Sequence, residues 1–135
     1  MITGINHLGI ATNNVQEIRE LYRKLLPLSP VHEETIEEQG VKVASFMVGG
    51  THLEFMEPLG PESPIKKFME KHGTAVHHIA FTTDGITGEL ERLKEKGFRL
   101  IDESPRTGFG GKQTAFAHPK STGGILIELC EENQS

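Results

Sequence analysis

One pattern occurs twice in this sequence and restricts the possible folds more than any other feature. The run INHLGIA at 5–11 is echoed seventy-one residues later by VHHIAFT at 76–82. Both runs alternate bulky with small or polar residues, which is the period of a β-strand with one buried face. His7 and His78 therefore lie at equivalent positions near the start of two strands. Each is on the face opposite the bulky residues. The next residues on that face are small and leave space beside each imidazole: Gly9, Ala11, Ala80 and Thr82.

The repeat continues beyond the first strands, which indicates an internal duplication. Residues 40–46 match 110–116, and residues 49–55 match 123–129. Strand parity places Glu54 and Glu128 on the face opposite the apolar residues of these last strands. Each half thus supplies one histidine from its first strand and one glutamate from its last strand.

Each half has the pattern of a strand, a helix and three strands. Asn14, followed by Glu17, is typical of a helix start. The apolar stripe of this helix is expected to be core: Val15, Ile18, Leu21, Tyr22 and Leu25. The second copy predicts a helix over 86–96 with Ile86, Leu90 and Leu93 facing inward. The remaining strands are predicted at 31–36, 41–48, 51–56, 98–103, 113–117 and 124–130.

These elements predict a single α+β domain over residues 1–135. Module 1 covers about 4–60 and module 2 about 75–131. A linker helix over about 63–73 joins them, since Ser63-Pro64 is typical of a helix start and Gly73 of a helix end. Two halves of this size would each be marginally stable alone, so we expect them to form one domain.

Composition excludes several classes of partner and compartment. The net charge of -5 and the pI near 5.8 argue against nucleic-acid binding, which needs clustered basic residues. No apolar run approaches the roughly twenty residues of a membrane span. Cys130 is the single cysteine, so an internal disulfide is excluded, which is typical of a reducing compartment. The first strand begins close to Met1 and leaves no room for a signal peptide, so we expect a cytoplasmic protein.

The two histidines and two glutamates form a donor set for a divalent cation. The carboxylates of Glu54 and Glu128 offset its charge, and the imidazoles of His7 and His78 donate nitrogen. This set suits Co²⁺, Mn²⁺, Ni²⁺, Fe²⁺ or Zn²⁺ better than Ca²⁺, and no thiolate is expected to join it. His52 shares the face of Glu54 and could replace it.

Two further histidines are given structural roles. His77 alternates with His78 and is expected to point to the helix side of the sheet. His118 is expected to lie in a turn. We predict that both pack or form hydrogen bonds and bind no metal.

The whole chain resembles the vicinal oxygen chelate superfamily, also called the glyoxalase fold. Three stretches resemble the methylmalonyl-CoA epimerase family within it: MEPLGPESPI at 56–65, VHHIAF at 76–81 and, most specifically, HPKSTGGILIEL at 118–129. The resemblance implies two βαβββ modules whose mixed sheet curves around a metal site. Members of the superfamily are commonly dimers, so it also implies a homodimer.

Carried over by position, the resemblance implies that His7, His78 and Glu128 bind a divalent metal, often cobalt in this family. Glu54 matches the fourth coordinating position, where some members have glutamine. Val43 occupies the position of a glutamate proposed as a catalytic base in some members. That role therefore does not transfer to this chain.

The implied reaction is a 1,1-proton transfer that interconverts (R)- and (S)-methylmalonyl-CoA through an enolate stabilised by the metal. Glu54 and Glu128 are the candidate acid–base groups on its two faces. For the coenzyme A phosphates, the glycine-rich loop at 106–112 with Lys112, together with Lys120, offers cations and accessible backbone. The expected partner is therefore a small-molecule acyl-CoA substrate.

Three other functions use the same fold. A glyoxalase I-type isomerase would use the same metal shell on a glutathione hemithioacetal, but the stretches at 58–65 and 118–129 favour the epimerase. A non-catalytic protein that sequesters small molecules needs no metal shell, and all four candidate ligands are present here. An extradiol dioxygenase needs a two-histidine, one-carboxylate iron site. The short chain shows no obvious additional catalytic histidine for that chemistry.

Overall fold

The order of helices and strands is that of a duplicated module. The computed structural model describes residues 1–26, 28 and 30–132, without the side chains of residues 30 and 31. Its elements are β1 (Ile2–Ala11), α1 (Val15–Leu25), β2 (Pro30–Ile36), β3 (Val41–Val48), β4 (Thr51–Pro58), α2 (Pro64–His72), β5 (Ala75–Thr83), α3 (Ile86–Glu95), β6 (Arg106–Thr107), β7 (Gln113–Ala117) and β8 (Ile127–Glu131). Two βαβββ modules joined by α2 confirm the predicted α+β class.

The chain divides into two compact units. The N-terminal unit comprises residues 7–77, and the C-terminal unit comprises residues 1–6 with 78–132. In the N-terminal unit the strands follow the order β2-β3-β4-β1, and β1 is parallel to β4. In the C-terminal unit the start of β1 is followed by β5-β8-β7-β6, and β5 is parallel to β8. The first and last strands of each module are therefore parallel neighbours.

A glutamate from the last strand caps the helix of each module. The Val15 N–H donates to Oε1 of Glu57 at 2.8 Å, and the Ile86 N–H donates to Oε1 of Glu131 at 2.9 Å. These N–H groups lie in the first turn, where a helix offers them no backbone partner. A negative charge there also complements the helix dipole. Buried threonines repeat in the same way, accepting from the N–H two residues ahead: Thr12 from Asn14 and Thr83 from Gly85.

Removing either capping carboxylate should destabilise the fold by a similar amount. We expect E57A and E131A each to lower the free energy of unfolding by about 1 kcal/mol, the usual size of a lost helix cap. For a domain of this size, that is about 4 °C in Tm. Thermal unfolding followed by circular dichroism measures the shift, with E62A as the control because Glu62 is exposed. Equal Tm values for all three variants would contradict the capping role.

The helix of the C-terminal unit packs more of its apolar stripe than the helix of the N-terminal unit does. In the C-terminal unit the predicted inward residues of α3 are confirmed, because Ile86, Leu90 and the half-buried Leu93 pack with Ala115 and Leu129. In the N-terminal unit α1 packs less of its apolar stripe.

Only part of the predicted stripe on α1 is core. Val15 is buried, and the ring of Tyr22 lies 4.8 Å from that of Phe55 on β4. The prediction was wrong for Leu21 and Leu25, whose residues are 54% and 61% exposed. Leu21 lies about 120° around the helix from Val15, so it cannot face the same sheet.

The predicted strand over 98–103 does not form as a regular strand, and that prediction was wrong. The backbone there makes an isolated bridge between Leu100 and Ala117. The Phe116 N–H donates to the carboxylate of Asp102 at 2.8 Å. The carboxylate thus takes the place of the backbone carbonyl that would accept this N–H in a regular ladder. The last strand also begins later than predicted, at Ile127, because the preceding Gly123 and Gly124 have positive φ angles of 76° and 93° and belong to a turn.

The linker helix forms as predicted. The Ser63 hydroxyl accepts the Ile65 N–H, and Gly73 ends the helix with a φ angle of 66°. The ring of His77 lies 4.8 Å from that of Phe68 on α2 in an edge-to-face contact, which confirms that His77 points to a helix. Within the described ranges, no helix combines the length and apolar character needed to cross a bilayer.

Candidate functional site

A buried histidine and a buried glutamate lie together in the N-terminal unit. His7 on β1 is paired with His52 of β4 in the parallel ladder, and Glu54 is paired with Gly9. Nδ1 of His7 lies 3.4 Å from Oε2 of Glu54. Both residues are almost fully buried, with 2% and 4% of their surfaces exposed.

The C-terminal unit contains an equivalent pair. Nε2 of His78 on β5 lies 3.5 Å from Oε1 of Glu128 on β8. Both residues are buried, and the ring of Phe116 on β7 packs edge-to-face on His78 at 5.3 Å. The structure thus brings each predicted histidine together with the glutamate of its own module.

Parallel strand pairing explains why the two pairs are alike. In each unit the glutamate is opposite the residue two positions after the histidine, which is Gly9 in one case and Ala80 in the other. With at most one methyl group at that position, no bulky side chain from the histidine strand fills the space beside the carboxylate. The small residues predicted beside the histidines therefore have a direct steric role.

Each pair fits the coordination of a divalent ion. Metal bonds to imidazole nitrogen and carboxylate oxygen are about 2.0–2.2 Å long, so two ligands of one ion lie about 3.0–3.5 Å apart. The N–O separations of 3.4 and 3.5 Å agree with this requirement. An ionised carboxylate taken out of water loses several kcal/mol of hydration, which a cation would offset. Nitrogen and oxygen donors of this kind suit Co²⁺, Mn²⁺, Ni²⁺, Fe²⁺ and Zn²⁺.

His52 remains an alternative to Glu54 as a metal ligand in the N-terminal unit. Its ladder partner is His7, and it lies two residues before Glu54 on the same face. Its Nδ1 is buried and has no hydrogen-bond partner among the described residues. A buried polar atom without a partner is unusual in a folded protein.

A thiol lies next to Glu128, although no thiolate was expected to join the donor set. Sγ of Cys130 lies 3.4 Å from Oε1 of Glu128, in hydrogen-bond contact. Strand parity places residues 128 and 130 on one face, so it could have shown that the thiol lies near the carboxylate, but not that the two side chains touch. Cys130 is fully buried.

Val43 is buried at the position that, by the family resemblance, matches a glutamate proposed as a catalytic base in some members. It is 2% exposed and is paired with Met56 across the β3–β4 ladder. The side chain at this position is therefore not an acid–base group.

The two candidate phosphate-binding lysines differ in exposure. Lys112 is 5% exposed, and its Nζ lies 5.5 Å above the centre of the Phe109 ring. Lys120 is exposed, and its backbone N–H donates to Nδ1 of His118, which confirms the predicted hydrogen-bonding role of that histidine. Lys120 is therefore accessible to a solvated phosphate, whereas the side chain of Lys112 is held against an aromatic ring.

A separate apolar cavity of about 360 Å³ lies in the C-terminal unit. It is lined by residues of α3, β5 and β8 that include Leu93, Phe81 and Leu129. These strand residues alternate with Ala80 and Glu128, so they lie on the opposite face of the sheet. The cavity does not include His78 or Glu128.

A family model described as the glyoxalase/bleomycin resistance protein/dioxygenase superfamily matches residues 6–116. A Bacillus subtilis protein of uncharacterised function is 43% identical over 94% of this chain and 91% of its own length. The ethylmalonyl-CoA/methylmalonyl-CoA epimerase of Cereibacter sphaeroides is 34% identical over 96% of this chain and 98% of its own.

Solved structures of similar sequence have the same fold. Methylmalonyl-CoA epimerase from Mycobacterium tuberculosis is 34% identical and superimposes with a TM-score of 0.95, covering 98% of this chain and 90% of that one. A methylmalonyl-CoA epimerase solved in complex with methylmalonyl-CoA and NH4+ gives the same identity and TM-score over 98% and 96% of the two chains. The chain therefore belongs to the glyoxalase/bleomycin resistance protein/dioxygenase superfamily and, within it, to the methylmalonyl-CoA epimerase family.

Proposed function

We propose that this protein is a metal-dependent epimerase that interconverts (R)- and (S)-methylmalonyl-CoA by 1,1-proton transfer. The observation that carries the proposal is similarity across nearly the whole chain to proteins of that name, one of them solved with methylmalonyl-CoA. A buried His–Glu pair in each unit supports it, because the reaction needs charge stabilisation at the substrate oxygens.

The proposed metal ligands are His7, Glu54, His78 and Glu128, two from each unit. Two carboxylates balance the charge of a divalent ion, and the separation within each pair matches that of two ligands on one ion. Co²⁺ is the first choice because the family resemblance favours it. The ion, when bound, acts as a Lewis acid on the substrate oxygens, which is worth several kcal/mol.

The acid–base groups proposed for this chain are Glu54 and Glu128. One carboxylate takes the proton from C2, the electron pair of the C–H bond delocalises toward the thioester oxygen, and a proton is returned to the opposite face. A carboxylate has two oxygens, so one can bind the ion while the other exchanges the proton. Proton transfer of this kind contributes about 10²–10⁴-fold to the rate.

Hydrogen exchange at C2 tests the proposed function directly. The metal-loaded protein in D2O should introduce deuterium at C2 of methylmalonyl-CoA, and a chelator should abolish this exchange until Co²⁺ is added back. Ethylmalonyl-CoA is a second substrate for the assay, since the Cereibacter relative is named for both. Conversion of methylglyoxal with glutathione, measured in parallel, tests the glyoxalase alternative. Exchange that persists at full rate without metal would contradict the proposal, as would no exchange by the loaded protein.

We propose Lys120 and Lys112 as contacts for the phosphates of coenzyme A. Replacing the exposed Lys120 by alanine should raise KM for methylmalonyl-CoA about two- to fivefold and leave kcat unchanged, because an exposed ion pair is worth up to about 1 kcal/mol. The effect should shrink at high salt. K67A, which removes an exposed charge on α2, is the control. An unchanged KM for K120A at low ionic strength would exclude this phosphate contact.

The buried Lys112 allows a sharper distinction. Propionyl-CoA has the coenzyme A phosphates but lacks the malonyl carboxylate. If K112M weakens the binding of propionyl-CoA and methylmalonyl-CoA by the same factor, Lys112 binds the phosphates as proposed. Loss confined to methylmalonyl-CoA would instead assign Lys112 to the carboxylate.

A further inference from the structure

We propose that Cys130 is a positioning residue for Glu128. Its S–H group donates a hydrogen bond to Oε1 of Glu128 and holds the carboxylate in the orientation that binds the metal. The inference rests on the proposed function, since it requires Glu128 to be a metal ligand. It assigns a role to the single cysteine of the chain.

The contact is short and fully enclosed. Sγ of Cys130 lies 3.4 Å from Oε1 of Glu128, and the two residues are 0% and 6% exposed. A thiol is a weak donor in water. Its hydrogen bond to a charged acceptor is stronger where water is excluded, because the effective dielectric constant is low.

The neighbours of Glu128 in the sheet explain why one hydrogen bond affects its orientation. Its ladder partners are Ala80 on β5 and Phe116 on β7, and neither has a polar side-chain atom. The Oε1 atom lies 3.5 Å from Nε2 of His78 and 3.4 Å from Sγ of Cys130. The last torsion angle of a glutamate has a broad preference. A second contact at Oε1 therefore restricts a rotation that the backbone does not fix.

The other module shows that the fold does not require a thiol at this position. The residue two positions after Glu54 is Met56, which is also buried. A thioether sulfur has no hydrogen to donate. The duplicated modules thus place a donor next to one glutamate and a non-donor next to the other. This asymmetry is what we expect if Glu128 is held more rigidly as a ligand than Glu54.

A buried cysteine also fills space, so the experiment must separate packing from hydrogen bonding. C130V keeps an apolar side chain of similar size and removes the donor. C130S keeps a donor and reduces the volume. L129V is the matched control, because Leu129 lies on the same strand but packs in the core on the α3 side.

The decisive measurement is the Kd for Co²⁺ of the metal-depleted full chain, obtained by competition with a chromophoric chelator. C130V should bind Co²⁺ about 10–100-fold more weakly than the unmodified protein, the usual effect of losing a partner that orients a ligand. C130S should stay within about threefold, and L129V should lower Tm without changing Kd. Unchanged affinity in C130V, or equal losses in C130V and C130S, would overturn the positioning role.

A double-mutant cycle tests whether Cys130 acts through Glu128. In an E128Q background the carboxylate is absent, so adding C130V should change the Kd by less than about threefold. An undiminished effect of C130V in that background would also overturn the proposal.

The absorption spectrum of the Co²⁺-loaded protein provides an independent readout. A thiolate bound directly to Co²⁺ gives an intense near-ultraviolet charge-transfer band. We expect no such band and the same spectrum for C130S, because a protonated thiol that donates to Glu128 is not a thiolate ligand. A band that disappears in C130S would overturn positioning in favour of direct coordination. If the unmodified protein binds no Co²⁺, the proposed metal site itself fails, whereas normal binding with an unaffected C130V removes this inference alone.

Discussion

Replacement of His78 by alanine is expected to abolish most of the epimerase activity. The imidazole is buried, lies 3.5 Å from Oε1 of Glu128 and is one of four proposed metal ligands. Lewis-acid stabilisation worth about 4 kcal/mol corresponds to about a 1,000-fold change in rate. H78A should therefore exchange the C2 hydrogen of methylmalonyl-CoA about 1,000-fold more slowly and should retain little Co²⁺ by metal analysis.

The adjacent histidine is a matched control for this variant. His77 lies on the other face of β5 and packs against Phe68 on α2. H77A loses that ring contact, which is worth about 1 kcal/mol, so its Tm should fall by a few degrees. Its metal content and exchange rate should be unchanged. Full activity in H78A, or equal losses of activity in both variants, would contradict the assignment of His78 as a ligand.

The second large effect is expected at Glu54, where glutamine separates metal binding from proton transfer. Glutamine keeps an oxygen donor but cannot accept a proton at neutral pH. E54Q should therefore retain metal, while its rate of C2-hydrogen exchange should fall about 10²–10⁴-fold, the usual contribution of a general base. The measurements are deuterium uptake and metal content of the same preparation. Full turnover by metal-loaded E54Q would make Glu54 a ligand or a bystander.

Variants of His52 test whether Glu54 or His52 is the fourth metal ligand. Its buried Nδ1 has no hydrogen-bond partner among the described residues, and it lies two residues from Glu54. If E54A keeps its metal and the E54A/H52A double variant loses it, His52 completes the shell. If H52A alone has normal affinity and E54A has lost the metal, Glu54 is the ligand. The two variants together decide an alternative that the sequence leaves open.

Position 43 carries valine and no carboxylate, so these experiments show how a family member transfers the proton without a base at that position. Val43 is buried and pairs with Met56, so this chain offers no proton acceptor at the position where a catalytic glutamate is proposed in some members. A carboxylate stands instead at Glu54, where some members have glutamine. We infer that the acid–base role in this chain falls on residues that also bind the metal. The E54Q variant tests that inference.

Features that repeat locally were predictable from the sequence. The start of α1, the bounds of β7 and the caps at Asn14 and Ser63 follow from short patterns whose physical basis lies within a few residues. Strand parity likewise predicted which faces carry His7 and His78. By contrast, Leu21 has helical spacing typical of core but lies too far around α1 to face the sheet.

The sequence by itself determined that two equivalent modules each carry a histidine on the first strand and a glutamate on the last. Periodicity and duplication are properties of the chain and need no coordinates. Only the tertiary structure decided that parallel pairing of those strands brings the two side chains of each module to 3.4–3.5 Å, because pairing joins residues about fifty positions apart. It also decided that Asp102 replaces a ladder carbonyl and that Cys130 contacts Glu128. Both contacts depend on the direction in which a side chain points, and packing fixes that direction.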